Sequence, residues 1–157
     1  MTTRIFLHGL ESSNQGTKSI CFREKFPDMI IPNFTGDLDT RMARLNEILT
    51  GKSDMIIVGS SFGGLMASLY AFDHEELVNR LILLAPALQW IASNLNPLPK
   101  ISIPVQIYHG RNDDVVPLKM VEEIAKKIFQ NLTFTVLDDD HFLHIFFSKI
   151  DWDAHLS

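Results

Sequence analysis

One run of residues, Met55-Ile56-Ile57-Val58-Gly59-Ser60-Ser61-Phe62-Gly63, constrains this chain more than any other. Four consecutive apolar residues rich in β-formers lead into G-x-S-x-G, which opens an apolar helical run containing Gly and Ala. A strand that passes into a helix through one serine holds that serine at a strained backbone angle, with its hydroxyl lifted above the sheet edge. Only small residues two positions before and two after leave room for the turn. Here both are glycine, Gly59 and Gly63. Ser61 is therefore the candidate nucleophile and Ser60 the variable position of the elbow.

The apolar runs Ile5 to Leu7, Met55 to Val58, Leu81 to Leu84, Val105 to Tyr108 and Phe134 to Leu137 stand out, with a weaker sixth at Met29 to Ile31. None alternates with polar residues, which predicts strands buried on both faces and hence a parallel sheet. Between them Leu38, Met42, Leu45, Ile48 and Leu49 recur at helical spacing after a possible Asp37 cap and stop at Gly51. Val121, Ile124, Ala125, Ile128 and Phe129 repeat the pattern after Pro117. Both stripes read as core-facing helix surface. Strand and helix alternating six times predicts an α/β fold: a doubly wound, mostly parallel sheet of about six strands with flanking helices, as a single domain over residues 1–157. The one long connector, Ala85 to Pro104, contains Pro86, Pro97, Pro99 and Pro104. It is long enough for a helical turn or two around Leu88-Gln89-Trp90-Ile91, so a minimal lid or none is expected.

With 46% hydrophobic and 21% charged residues among 157, the chain can bury one sizeable core. Its net charge is −5 and its 14 Lys and Arg are dispersed, which argues against nucleic acid as a partner. The first apolar run directly follows Met1-Thr2-Thr3-Arg4, so no signal peptide is expected; no apolar run approaches a membrane span. A single cysteine, Cys21, allows no internal disulfide and suits a reducing cytoplasm. A cytoplasmic location is the expectation.

Ligands in doubly wound sheets bind at the carboxyl ends of the strands. Four loops there carry pointed chemistry: His8-Gly9-Leu10-Glu11, the elbow, His109-Gly110-Arg111-Asn112-Asp113-Asp114, and Asp138-Asp139-Asp140-His141. A serine hydroxyl becomes a useful nucleophile when a neutral imidazole takes its proton and a carboxylate fixes the imidazole's tautomer. Serine, histidine and aspartate are all present in these loops. The segment His109 to Pro117 resembles the H-G-x-x-D-x-x-V-P acid loop of many α/β-hydrolases, and Asp140-His141-Phe142 resembles their terminal D-H-F. The similarity runs from Phe6 to Phe142. Its amino-terminal piece, Leu7-His8-Gly9-Leu10-Glu11-Ser12-Ser13 with Lys18, looks like the small YqiA-like esterases, whereas Ala85-Pro86-Ala87 and the Val-Val-Pro acid loop follow the broader superfamily.

That resemblance implies Ser61 as nucleophile, His141 as general base and then acid, and Asp113 as the orienting carboxylate, in the chain order of the fold. Asp114 is the alternative acid; the motif places the acid three residues after Gly110 and so selects Asp113. The resemblance further implies an oxyanion hole of backbone amides from Phe62 and from the loop after the first strand, Leu10 with Glu11 as the alternative. No cofactor and no metal are implied, and the expected partner is a small-molecule ester. The activity implied is hydrolysis of a carboxylic ester or thioester of small or exposed acyl groups. A hydrolase scaffold kept for binding, or acyl transfer to another acceptor, would use the same residues.

Other residues read more plainly. His8 and His109 suit hydrogen bonds between neighbouring loops, Ser12-Ser13 a helix cap, and Cys21 a small apolar packing residue. If Phe142 to Ile150 were helical, His144 would share a face with His141, and with Asp138 and Asp140 they would offer metal ligands. Such a site would leave the elbow without a base. Leu88 and Trp90 either line a substrate entrance or pack on the sheet.

Overall fold

Strand β2 (Met55–Ser60) lies inside the sheet with Met55 to Val58 all buried. The computed structural model of the chain describes residues 1–157. Strand β1 (Thr3–Leu7) flanks β2 on one side, with Ile5 opposite Ile57. On the other side follow β3 (Val78–Leu84), β4 (Ile101–Gly110) and β5 (Phe129–Leu137), all parallel, in the order β1-β2-β3-β4-β5.

The sheet has five strands rather than six. The Met29 to Ile31 run makes only an isolated parallel bridge, Ile30 against Ile5, on the free edge of β1. Pro27 and Pro32 bracket that run, and a residue with no backbone N–H cannot extend a ladder. The bridge still fixes the winding. From β1 the chain steps outward to Ile30, then returns across the sheet to β2, so the strand order reverses between β1 and β2. A reversal of that kind opens a crevice at the carboxyl ends of the two strands.

The unbroken apolar runs are explained by two cores, one on each face. Ile5, Leu7, Ile57, Leu81, Leu83, Val105 and Ile107 face the larger core, with helices α2 (Leu38–Leu49), α3 (Phe62–Asp73) and α5 (Leu118–Ile128). Phe6, Ile56, Val58, Ile82 and Leu84 face the smaller, closed by α1 (Thr17–Lys25) and the carboxyl-terminal segment with Phe147, Trp152 and Leu156. The Asp37 carboxylate caps α2 by accepting from the Thr40 amide at 2.9 Å.

Several local expectations shift. Helix α1 starts at Thr17 with Gly16 at its cap, and Ser12-Ser13 lie in the preceding loop, where the Ser13 hydroxyl accepts from the Gln15 amide. Cys21 is half-buried at the edge of the smaller core. Phe129 ends no helix; it is the first residue of β5, opposite Ile101. The connector after β3 carries the six-residue helix α4 (Gln89–Asn94), and Leu88 and Ile91 are buried in the larger core, so no lid covers the strand ends. Residues Phe142 to Ile150 are turns with one 3-10 turn at Phe147–Lys149, followed by α6 (Trp152–Leu156). The Asp139 carboxylate accepts from the Ile145 and Phe146 amides at 3.0 and 2.8 Å and so competes with a helical ladder there. No helix is long and apolar enough to cross a membrane.

The elbow glycines are dictated by backbone contact. A Cβ on Gly63 would lie 2.0 Å from the Leu7 carbonyl oxygen, and one on Gly59 2.4 Å from that of Gly63. Neither neighbour is a side chain that can swing away. Gly63→Ala should therefore cost about 3 kcal/mol or more by urea unfolding. Gly51→Ala, at φ 78° in open space, should cost about 1 kcal/mol. Equal losses at the two positions would contradict this account of the elbow.

Candidate active site

Ser61 adopts φ 55° and ψ −113°, a conformation that costs a non-glycine residue about 1–3 kcal/mol. Its own backbone holds it there. The Ser61 amide donates to the Leu84 carbonyl at 2.8 Å, and its carbonyl accepts from Gly64, Leu65 and Ala87 at 2.9, 3.2 and 3.0 Å. The turn is thus fastened to β3, to α3 and to the segment after β3, and the side chain projects over the carboxyl end of the sheet.

His141 stands in the loop after β5. Its Nε2 lies 3.1 Å from Ser61 Oγ and its Nδ1 2.7 Å from Asp113 Oδ2. The side chain of Asp113, in the loop after β4, is wholly buried, and its Oδ1 accepts from the Val115 and Val116 amides at 2.9 and 2.7 Å. An ionised carboxylate has no proton to give, so Nδ1–H donates to Asp113 and Nε2 keeps its lone pair for the serine hydroxyl. Residues 61, 113 and 141 meet within hydrogen-bond reach. Asp114 is exposed and makes no contact with the imidazole.

His109 flanks Asp113 from the other side. Its Nε2–H donates to the Val116 carbonyl at 2.9 Å and lies 3.2 Å from Asp113 Oδ2, while its ring stacks on Phe134. With Nε2 protonated, Nδ1 is a bare acceptor, and it is buried without a partner. Burial lowers the His109 pKa, against the raising effects of the Val116 carbonyl and Asp113. A neutral His109 orients Asp113 and closes the acid loop on itself.

His8 plays the corresponding part after β1. Its Nε2 accepts from the Phe34 amide at 2.9 Å, so Nδ1–H donates to the Gly9 carbonyl at 2.7 Å. Burial lowers its pKa as well, which favours this neutral tautomer. In a trans peptide C=O and N–H point in opposite directions, so fixing the Gly9 oxygen also aims the Leu10 amide. The loop runs against the elbow: a Cβ on Gly9 would sit 3.5 Å from Ser61 Cβ. Neither the Leu10 nor the Phe62 amide donates to a backbone carbonyl.

One side chain beside these amides escaped the sequence reading. Arg41 on α2 is only 4% exposed. Its Nε donates to the Gly36 carbonyl at 2.9 Å, Nη2 lies at a long 3.5 Å from the Leu10 carbonyl, and the guanidinium sits 5.5 Å from the centre of the Phe62 ring. The available signal was positional. Residue 41 falls on the buried stripe of α2 with Leu45 and Leu49, where a charge is out of place.

A cleft of about 300 Å³ adjoins the elbow, lined by Phe62, Leu65, Ala87, Gln89 and Trp90 among others. Trp90 therefore faces the cleft, whereas Leu88 packs in the core. Leu10, Val115, Phe142 and Ile145 are exposed apolar side chains on the loops after β1, β4 and β5. Asp140 accepts from His144 Nδ1 at 2.6 Å, and Asp138 is exposed. Both nitrogens of His141 are engaged by Asp113 and Ser61, so these groups do not converge on a metal.

Comparison with known proteins matches this arrangement to one fold. Residues 31–101, which include the elbow, match the model of the Hydrolase_4 family, described as serine aminopeptidase, S33. No curated protein matches the chain by sequence. Est1E from Butyrivibrio proteoclasticus, solved with ferulic acid bound, superimposes with TM-score 0.78 at 16% identity over 99% of this chain and 86% of its own. Alpha/beta hydrolase domain-containing protein 10 from mouse gives TM-score 0.75 at 19% identity over 99% and 90%. An alpha/beta hydrolase enzyme from the sediment metagenome of the Mar Chica lagoon in Morocco gives 0.73 at 21% over 99% and 90%. With its parallel sheet, its flanking helices and a serine elbow between β2 and α3, the chain has the α/β-hydrolase fold.

Proposed function

We propose that this chain is a serine hydrolase that cleaves carboxylic esters or thioesters of small or exposed acyl groups through an acyl-enzyme. The observation that carries the reading is the continuous path from Ser61 Oγ to His141 Nε2 at 3.1 Å and from His141 Nδ1 to Asp113 Oδ2 at 2.7 Å. In the first half-reaction Ser61 Oγ bonds to the substrate carbonyl carbon as its proton passes to His141 Nε2. The carbonyl oxygen gains charge and turns toward the Phe62 and Leu10 amides, each worth about 2.7–4 kcal/mol to the transition state. His141 then returns the proton to the leaving alcohol or thiol as the bond to it breaks. Water repeats the cycle on the acyl-enzyme, giving the acid and free Ser61.

The proposed role of Asp113 is to hold the imidazole and stabilise its charged form, while remaining ionised throughout. Two amide donors hold its second oxygen in place for that role. The substrate class follows from the surroundings. The 300 Å³ cleft and the exposed apolar side chains offer contact for a short aliphatic or single-ring acyl group, and no lid is present to enclose a long chain. That Est1E, of the same fold, was solved with a single-ring carboxylic acid supports this size.

A fluorophosphonate should label the parent protein and leave Ser61→Ala unlabelled. On a short nitrophenyl ester, Ser61→Ala and His141→Ala should each lose about 10³-fold or more in kcat. Labelling retained in Ser61→Ala would refute the nucleophile. An aminoacyl nitroanilide in the same panel tests amide cleavage, and faster turnover of it than of every ester would overturn the ester assignment. Ligand binding unaffected by Ser61→Ala, with no turnover of any substrate, would make the chain a binding module.

Activity should also fall on acidification, because only the neutral form of His141 accepts the serine proton. A rate that does not fall as the pH is lowered would contradict a base of this kind. His109, held below the ordinary histidine pKa by burial, stays uncharged at neutral pH.

A further inference from the structure

Besides the wholly buried carboxylate of Asp113, two charged residues are buried, Arg41 and Asp139, at 4% and 3% exposure, and they are treated very differently. Asp139 is compensated by the amides of Asp140, Ile145 and Phe146. Arg41 pairs with no carboxylate, and its Nη1 is buried with no hydrogen-bond partner. Its contacts run instead to the Gly36 and Leu10 carbonyls and to the face of Phe62. Burial lowers its pKa against the raising effect of the Glu11 carboxylate, and a guanidinium remains protonated in a protein. Folding alone disfavours such a charge, since an apolar side chain of similar volume fills the site without the desolvation cost.

Its position supplies the reason. The guanidinium lies between the loop that carries Leu10 and the residue that carries the Phe62 amide. His8 fixes the Gly9–Leu10 peptide through the Gly9 oxygen, and Arg41 reaches the next peptide through the Leu10 oxygen. A carbonyl turned toward Arg41 turns the Glu11 amide the opposite way. We propose that Arg41 is the positioning residue of the oxyanion site: it anchors the Leu10–Glu11 peptide and places a buried positive charge, with no carboxylate in contact, behind the point where negative charge develops on the substrate oxygen. The inference rests on the acyl-transfer reading above. A charge held in low dielectric acts at the transition state and leaves the binding of a neutral ester nearly untouched.

The test compares Arg41→Met, Arg41→Gln and Arg41→Lys with the parent on a neutral nitrophenyl ester, together with inhibition by an alkyl boronic acid, whose adduct on Ser61 is tetrahedral and anionic. Arg41→Met should lower kcat by about 10- to 100-fold, change KM by less than about 2-fold, and weaken boronate inhibition in parallel with kcat. Its Tm should stay level or rise, because a buried unpaired charge has been removed. Arg41→Lys should exceed Arg41→Gln in kcat by about 10-fold, which keeps the comparison open if the Met variant fails to fold.

Parent-like kcat in Arg41→Met or Arg41→Gln would overturn the proposal. So would equal rates for the Lys and Gln variants, or a kcat loss matched by a lowered Tm with boronate inhibition unchanged. Ser61→Ala assayed alongside separates the two levels. If it remains active, the acyl-transfer reading falls; if it is inactive while Arg41→Met is parent-like, only the role of Arg41 falls.

Discussion

The first turn of α3 lies so close to the end of β1 that a methyl group on Gly63 would overlap the Leu7 carbonyl oxygen at 2.0 Å. This contact sets the geometry of the carboxyl edge of the sheet. Because α3 cannot move away from β1, the chain between β2 and α3 has no slack, and Ser61 is driven to positive φ. The same approach brings the loop after β1 against the elbow, with Gly9 beside Ser61. One steric condition thus places both the serine and the loop proposed to supply the second oxyanion amide.

Residues 61, 113 and 141 meet because the sheet is parallel. Loops after β2, β4 and β5 all emerge at one edge, and the registers set their heights, with Gly110 opposite Leu137. Orientation then comes from short-range hydrogen bonds. Asp113 is held by two amides of its own loop and by His109, and Asp139 organises the turns on both sides of His141 through three more. Lys18 of α1 donates to the Phe142 carbonyl at 2.6 Å and ties the His141 loop to the smaller core. Each loop is braced locally as well as placed by its strand.

The strands and most of the helices were legible in sequence because burial on both faces leaves unbroken apolar runs and burial on one face leaves a helical stripe. Ser61 was legible from G-x-S-x-G, whereas Asp113 and His141 were legible only through the resemblance of their segments to the acid loop and terminal D-H-F of α/β-hydrolases; the three side chains meet within hydrogen-bond reach. The losses have local causes. Met29 to Ile31 has strand composition, but flanking prolines reduce it to one bridge. Phe129 continues the helical spacing of α5, yet its pairing with Ile101 takes it into β5. The His144 region has helical spacing, but Asp139 captures the amides that a helix would use. Arg41 was missed because its neighbours at the site, Leu10 and Phe62, are far from it in sequence and reach it only through the packing of α2.

The distribution of strain also follows the site. Three buried side-chain atoms lack hydrogen-bond partners: Arg41 Nη1, Gln89 Oε1 and His109 Nδ1. Native chains keep such atoms few because each costs about 1–3 kcal/mol. Here one lies behind the Leu10 loop, one belongs to a residue lining the cleft and one to the imidazole beside Asp113. Of the four non-glycine residues at positive φ, Ser61 is the elbow, Ala85 directly follows the strand beside it and Leu143 lies two residues beyond His141. Asp54, at the opposite end of β2, is the exception. Random imperfection would scatter these costs over both cores. Their concentration at one edge of the sheet marks a surface shaped by a requirement other than stability, with the rest of the fold packed well enough to sustain it.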